Sequence, residues 1–326
     1  MRLLPWLFTA AIVAYIGHTT DLVTAWETLK GADWARFVPV AVAVSVFVFF
    51  IDSGCLVLLF RRFNAPVTYR EMLPLKGTSY FLNIINYNAA AAGIALFFRN
   101  KKKVPLLKAM STMLWLNFID IVSLAVLMLL GLVVGGGSID PDLQRWLVIV
   151  AVGILVILAG SCVYWNAGFD FLVLGRFRGW TIFDTFKKAT LRDYAEFVGL
   201  RTAFVATYVV AQWAVMPFFD MHATLRELML YVPALTFVGT IPFTTIAGLG
   251  TVQVLMRDFF AGFAPHGTAQ IDAYSTTSIL AFVVCRVVIG YACMGSVSRD
   301  FTDRSREQDA AQGPDHSADR TESVRQ

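Results

Sequence analysis

The feature that most constrains the fold is a succession of eight apolar segments, most of them long enough to cross a lipid bilayer as a helix. They are residues 3–18, 37–60, 77–98, 107–134, 146–164, 197–219, 228–263 and 276–297. A hydrocarbon core of about 30 Å takes about 20 helical residues, and only helices or closed barrels satisfy their backbone polar groups there. Charged residues make up only 15% of the 326-residue chain, against about a quarter in soluble domains. The sequence therefore predicts an all-α polytopic membrane protein.

The charges of the connecting loops indicate how these segments are oriented. Loop 19–36 has more acidic than basic residues, whereas loops 61–76 and 99–108 are strongly basic. Because lysine and arginine are enriched in cytoplasmic loops, we expect the first loop outside and the two basic loops inside. A single crossing by segment 77–98 would separate the two basic loops. This segment is therefore expected to enter from the cytoplasm and turn back.

The same reasoning applies to segment 228–263, which is too long for one crossing and lies between two weakly acidic loops. Pro233, Pro242 and two glycines interrupt it, so we expect a second hairpin that enters from the outer face. The predicted fold has about six full transmembrane helices and two oppositely oriented re-entrant helical hairpins. Residues 1–298 would form one transmembrane domain and the polar residues 299–326 a disordered tail, with both termini in the cytoplasm.

Several functional classes find no support among the side chains. The four cysteines and four histidines show no spacing typical of a metal or redox site, so we expect no metal and no cofactor. No basic stripe with interleaved aromatic residues predicts a nucleic-acid partner. The chain shows no serine–histidine–aspartate set, cysteine–histidine pair or phosphate-binding loop, which argues against catalytic residues and an enzyme.

Polar residues within the two hairpins are candidates for a pathway through the membrane. The first hairpin has three asparagines in "YFLNIINYNAAAAGIA", and the second has the helix-breaking stretch "TIPFTTIAGLG". A broken helix is tolerated at membrane depth only against protein or a water-filled cavity. The stretch therefore predicts either a polar pathway or a packing device in which threonine and glycine bring helices together. Arg257, two turns after Gly250, either faces this break or extends to the outer interface.

Charged residues inside the other apolar segments form a second group of candidates. Asp120 lies one helical turn after Asn117, and Arg286 lies near the middle of the last segment. A charge at that depth costs at least about 2.5–3.5 kcal/mol unless it is paired or hydrated, so we favour an Asp120–Arg286 pair. Alternatively, Asp120 reaches water at the cytoplasmic end of its helix. Asp52 and Arg201 are expected near cytoplasmic helix ends, at the interface.

The stretch "IPFTTIAGLGTVQVL" resembles a proline- and glycine-rich signature in the transmembrane region of lysylphosphatidylglycerol synthases, a region shared by flippase-like integral membrane proteins. It departs from that pattern at Ala247-Gly248, where a glycine pair is usual, and at Val252-Gln253, where the usual charged pair is absent. The first hairpin lacks the usual proline and arginine. No aminoacyl-transferring domain accompanies the stretch, so lipid aminoacylation is not expected.

The resemblance implies a lipid translocase in a bacterial cytoplasmic membrane that moves a polar or anionic lipid between leaflets. Its partners would be membrane lipids, either phospholipids or polyprenyl-phosphate-linked lipids, and a lipid-modifying enzyme. A membrane-embedded transferase or accessory subunit acting on lipid-linked intermediates is the alternative, and a small-solute transporter is a third. The residues expected to line the pathway are Asn83, Asn86, Asn88, Asn117, Asp120, Thr240, Pro242, Thr244, Thr245, Gly248, Gly250, Gln253, Arg257 and Arg286.

Overall fold

The computed structural model describes residues 22–85, 87–135, 141–166, 178–240 and 251–311. Within these residues the chain is helical, with three short 3-10 turns and no β-strand. The α-helices are α1 (Leu22–Gly31), α2 (Trp34–Phe63), α3 (Tyr69–Ile85), α4 (Tyr87–Lys102), α5 (Leu106–Gly135), α6 (Pro141–Asn166), α7 (Asp184–Lys188), α8 (Leu191–Val215), α9 (Leu225–Thr240), α10 (Thr251–Phe259) and α11 (Thr268–Ala311).

Five of the described helices are long and apolar enough to cross a membrane. The candidate spans are Trp34–Phe63, Leu106–Val134, Gln144–Asn166, Leu191–Phe219 and Thr268–Met294. They confirm the prediction of an all-α polytopic membrane protein. The predicted segment 3–18 lies outside the described residues.

Two helices differ from the predicted segments. Helix α1 forms within the loop predicted at 19–36 and packs against α11. Helix α11 continues to Ala311, past the domain boundary predicted at residue 298. The backbone of residues 299–311 is helical, and the predicted division into a transmembrane domain and a tail stays a prediction. The rest of that tail lies outside the described residues.

Helices α3 and α4 form the first hairpin. They pack so closely that a Cβ atom at Gly93 would lie 2.6 Å from the Leu82 side chain. At the base, Lys102 Nζ is 2.7 Å from Glu71 Oε1. Burial alone would raise the pKa of Glu71, but hydrogen bonds from Lys102 and Thr68 outweigh it and hold the pKa at about 2. This ion pair joins the start of α3 to the end of α4, so the chain leaves the hairpin where it entered.

Helices α9 and α10 form the second hairpin, whose connecting residues 241–250 lie outside the description. At its base, the backbone N–H of His222 donates to the carbonyl oxygen of Phe263 over 3.3 Å. The rings of Tyr231 and Phe259 are 5.3 Å apart between the two helices. This hairpin also returns the chain to the end from which it entered.

The first helix of each hairpin starts with the same capping box. In "TYRE", the backbone N–H of Thr68 donates to Glu71 Oε2 over 2.8 Å, and in "TLRE" the N–H of Thr224 donates to Glu227 Oε2 over 2.8 Å. In both, the threonine hydroxyl accepts the glutamate N–H in return. This reciprocal arrangement satisfies backbone donors that a helix start leaves open, so both helices begin at a defined residue.

The two hairpins enter from opposite ends of α2. Near the C-terminal end of α2, Phe60 stacks on Phe98 from the base of the first hairpin, with 3.8 Å between ring centroids. Near the N-terminal end, Phe37 packs edge-on against Phe219, which directly precedes the second hairpin, at 5.3 Å. The two hairpins therefore adjoin opposite ends of a helix that is long enough to cross a membrane, whereas their re-entrant position in the membrane stays a prediction.

Each hairpin is held against a long helix by a glycine contact. A Cβ atom at Gly77 of α3 would overlap Cys293 Sγ of α11. A Cβ atom at Gly131 of α5 would lie 2.8 Å from the backbone of Met229 in α9. Small residues allow this closeness, and close packing is a main source of helix association in lipid.

Among the described residues, buried apolar side chains form two cores, one toward each end of the bundle. The first core contains Phe60 and Trp115 and surrounds the base of the first hairpin. The second core contains Phe37 and Tyr274 and surrounds the base of the second hairpin. Asp52, Asp120 and Arg201 lie in the layer between them.

Candidate functional site

Three long helices run from the first core to the second, and each carries one charged residue between the two cores. These residues are Asp52 on α2, Asp120 on α5 and Arg201 on α8. The first helix of the first hairpin adds Lys76. Four helices thus bring charges to one level of the bundle, between the two cores.

The four charges form a row of alternating sign, which we call the charged row. Arg201 Nη1 is 2.8 Å from Asp52 Oδ1, and Arg201 Nε donates to Asp120. Lys76 Nζ is 2.5 Å from the other oxygen of Asp52. The four side chains are only 6–15% exposed. The formal charges cancel, which is the arrangement that makes buried charge tolerable.

Aromatic rings cover this row. The guanidinium carbon of Arg201 lies 4.1 Å from the ring centroid of Phe204, and Phe204 in turn packs edge-on against Tyr208 at 5.4 Å. A cation over a ring face gains about 0.5–2 kcal/mol, more when water is excluded. The rings therefore hold the guanidinium in place while its N–H groups contact both carboxylates.

Tyr80 extends the row toward α11. It lies one turn after Lys76, and its ring centroid is 5.5 Å from Lys76 Nζ and 5.7 Å from the guanidinium carbon of Arg286. Within the described part of the chain, Arg286 has no ion pair. Arg286 lines a small cleft, which we call the arginine cleft and which has room for about one water molecule. The cleft is lined by Ser45, Val48, Tyr80, Tyr208, Phe282 and Arg286.

A second polar contact ties the second hairpin to α11. Arg257 on α10 makes two hydrogen bonds to Asp272, of 2.7 Å from Nε and 2.6 Å from Nη2. One turn away, Gln253 Nε2 donates to Thr276 Oγ1 over 2.7 Å. The two pairs repeat at a spacing of four residues on both helices, so they hold the faces of α10 and α11 in register.

Residues 2–290 match the family described as the lysylphosphatidylglycerol synthase TM region. The chain belongs to this family. No curated protein and no solved structure gives a significant match to it. The family relates the chain to membrane proteins that handle lipids, and it confirms the resemblance seen in the sequence.

The predicted pathway of this lysylphosphatidylglycerol synthase TM-region protein falls partly outside the described residues. Those not described are Asn86, Pro242, Thr244, Thr245, Gly248 and Gly250. For Asn88 and Thr240 the helical backbone is described, but the side chain is not. Asn83 is half-buried on α3, and the Oδ1 atom of Asn117 is buried with no hydrogen-bond partner among the described residues. The pathway role of all these residues stays a prediction.

Two expectations about charged residues are corrected by the geometry. The ion pair of Asp120 is with Arg201, where the sequence favoured Arg286. Asp52 and Arg201 are buried in the charged row, where the sequence placed them at the interface. Both errors arise because the depth of a residue along its own helix does not reveal which helices surround it.

Sequence reasoning on this family member missed two residues that form these ion pairs. Lys76 was counted among the loop charges, although it lies inside α3, and Asp272 was counted in an outer loop, although it lies inside α11. The spacing of Lys76 and Tyr80, four residues apart on one helix, was a usable signal. The partner of each residue comes from a distant part of the chain, which spacing along the sequence cannot supply.

We expect Arg257→Lys to lower the free energy of unfolding by about 1–3 kcal/mol, since lysine cannot reproduce the two parallel hydrogen bonds to Asp272. Unfolding by titration with sodium dodecyl sulfate in mixed micelles would measure it. Arg226→Lys, at an exposed position of α9, is the matched control and should unfold like the wild type. Equal stability of the two variants would contradict this role for Arg257.

Proposed function

We propose that this protein is a lipid translocase that moves a polar or anionic lipid between the two leaflets of the membrane. One observation carries the proposal: two hairpins enter from opposite ends of the bundle, and the charged row lies between the two apolar cores. Broken helices meeting from both sides near the midplane are typical of membrane transporters. The family, which relates to lipid handling, supports a lipid as the cargo.

The physical task of a translocase agrees with this arrangement. A headgroup that crosses the membrane must exchange water for other polar groups, whereas the acyl tails can stay in hydrocarbon. The hairpins shorten the purely apolar distance from each side, and the charged row and Tyr80 supply polar groups at the level between them. Only 11% of the residues in the apolar window of α6, and 11% of those in the window of α11, are buried inside the protein. These helices therefore offer apolar faces along which the acyl tails can lie.

The predicted pathway residues take specific roles in this proposal. Asn83 and Asn117 would hydrogen-bond the headgroup from the side of the first hairpin, and Gln253 from the side of the second. Asp120 acts within the charged row, and Arg286 would attract an anionic headgroup. We place the protein in a bacterial cytoplasmic membrane with both termini inside, as the loop charges predict.

The test is leaflet exchange in proteoliposomes. A fluorescent phospholipid is placed in both leaflets, and dithionite bleaches the outer one; label that moves outward is bleached later. We expect faster exchange than in protein-free vesicles, and about a tenfold slower rate for Arg286→Ala, equivalent to about 1.4 kcal/mol of barrier. Val288→Ala, at a lipid-facing position on the same helix, should exchange at the wild-type rate.

A wild-type rate no faster than that of protein-free vesicles would reject the translocase proposal. Exchange that is fast in wild type and in Arg286→Ala alike would keep translocation but remove Arg286 from the pathway. Each reconstitution needs the same protein-to-lipid ratio, so that leakage of dithionite into the vesicles is compared between samples with the same amount of protein.

A further inference from the structure

The arginine cleft holds more hydrogen-bond donors than acceptors, and none of the acceptors that line it is charged. Among the described residues, the guanidinium of Arg286 makes no hydrogen bond, and neither phenol hydroxyl of Tyr80 and Tyr208 makes one. The remaining polar lining residue, Ser45, donates its proton to the carbonyl oxygen of Ala41 over 2.7 Å. The acceptors of the cleft are therefore three neutral hydroxyl oxygens, whereas the guanidinium alone brings five N–H groups and a full positive charge. Donors in such excess are what an anion requires.

The local charge points the same way. The charged row cancels to zero, so Arg286 leaves one positive charge in excess at the end that Tyr80 connects to the row. The ring of Tyr80 compensates that charge only in part, since a cation–π contact gains far less than an ion pair in a water-poor site. An anion with oxygen atoms would supply both the missing charge and the missing acceptors.

The position of the cleft restricts where that anion comes from. Arg286 belongs to the span of α11, and its neighbours Val284 and Val288 on the same helix are 58% and 62% exposed, as expected for residues that face lipid. In the lipid phase the anionic group that recurs is the phosphate of a lipid headgroup. Room for about one water molecule admits a phosphate oxygen while the rest of the headgroup stays outside the cleft.

We propose that the arginine cleft binds the phosphate group of a membrane phospholipid, through Arg286 and the hydroxyl groups of Tyr80 and Tyr208. This inference rests on the proposed function and deepens it by naming the chemical class of the cargo, a lipid with a phosphodiester. Arg286 supplies the charge, and its planar fork can contact two phosphate oxygens. The tyrosines add directional hydrogen bonds. A lipid without a phosphate group lacks the charged oxygen atoms that would accept them.

Binding to the purified full-length protein in a phosphate-free maltoside detergent tests the site. The probes are dihexanoyl-phosphatidylglycerol, dihexanoylglycerol with the same tails but no phosphate, and inorganic phosphate, each followed by isothermal titration calorimetry. We expect saturable binding of the phosphatidylglycerol, none of the dihexanoylglycerol, and inorganic phosphate at least about tenfold weaker because it lacks tails.

Variants then assign the binding to the cleft. Arg286→Gln should weaken phosphatidylglycerol about tenfold or more, and Tyr208→Phe, which removes one hydroxyl group without changing the packing, several-fold, about threefold to tenfold. Val288→Ala should bind like the wild type. Detergent unfolding curves check that each variant is folded, and Tyr208→Phe serves as the test if Arg286→Gln does not fold.

Three results would overturn the inference. Equal binding of dihexanoylglycerol and phosphatidylglycerol would assign the binding to the tails. Inorganic phosphate that binds as tightly as the lipid would assign the cleft to free phosphate. Wild-type affinity in folded Arg286→Gln and Tyr208→Phe would place the lipid elsewhere. Phosphatidylglycerol that binds in the cleft without any leaflet exchange in vesicles would keep this site and reject the translocase, so the two proposals fail separately.

Discussion

Arg201→Leu is expected to lower the free energy of unfolding by about 3–5 kcal/mol, the cost of breaking a buried ion pair by removing one partner. The substitution takes away the cation that contacts both Asp52 and Asp120 and leaves Lys76 beside two carboxylates. It also removes the guanidinium that packs on Phe204. The row then carries an excess negative charge in the layer between the two cores, where water cannot screen it.

Titration with sodium dodecyl sulfate in mixed micelles would measure this loss, with Arg36→Leu as the control. Arg36 pairs with Asp33 at the surface, with the arginine side chain 77% exposed, so its replacement should cost less than about 1 kcal/mol. Adding Asp120→Asn to Arg201→Leu removes the excess charge and should recover part of the stability, a coupling that a double-mutant cycle measures. Arg201→Leu that is as stable as Arg36→Leu would refute a tightly paired row.

Gly131→Val is expected to destabilise the protein by about 1–3 kcal/mol, toward the upper end because the clash is with backbone and not with a flexible side chain. A Cβ atom at this position would lie 2.8 Å from the backbone of Met229, and the valine methyl groups would reach further. Relief requires α9 to move away from α5. The second hairpin would therefore lose its closest support on the bundle.

Gly153→Val is the matched control, because it makes the same change within α6, a membrane-spanning helix, where a Cβ atom would meet nothing within 4 Å. The difference between the two variants isolates the contact from the effect of valine on helix formation. Unfolding in mixed micelles gives the stabilities, and protease susceptibility of the loop before α9 reports whether the hairpin has loosened. Two variants of equal stability would show that α9 accommodates the side chain.

The architecture of the hairpins was readable from the sequence because it follows from two local quantities. Loop charge fixes on which side the chain leaves the membrane, and prolines and glycines fix where a long apolar segment can turn. A further local signal went unused: "TYRE" and "TLRE" start the first helices of the two hairpins with the same capping box. These features need no knowledge of distant parts of the chain.

The partners of the intramembrane charges could not be read in the same way. Asp120 and Arg286 were obvious candidates for a pair because they carry opposite charges and each lies alone in an apolar segment. The guanidinium that contacts Asp120 instead belongs to Arg201, and the geometry that brings the two together is the packing of α5 on α8. The ion pairs that form depend on how each helix is rotated about its axis and on which helices lie next to it. The hydropathy of one segment encodes neither.

The glycine contact between Gly77 and Cys293 has a consequence for how the protein is made. Within the described part of the chain, α3 packs more extensively on α11 than on any other helix, and these two helices lie at opposite ends of the sequence. A ribosome inserts α3 into the bilayer long before α11 has been synthesised. Until then the first hairpin has only its neighbours in the sequence to pack on, among them α2, whose Asp52 pairs with Lys76. The first hairpin therefore completes its packing only after α11 has been made, and a nascent chain released before that point would lack this contact.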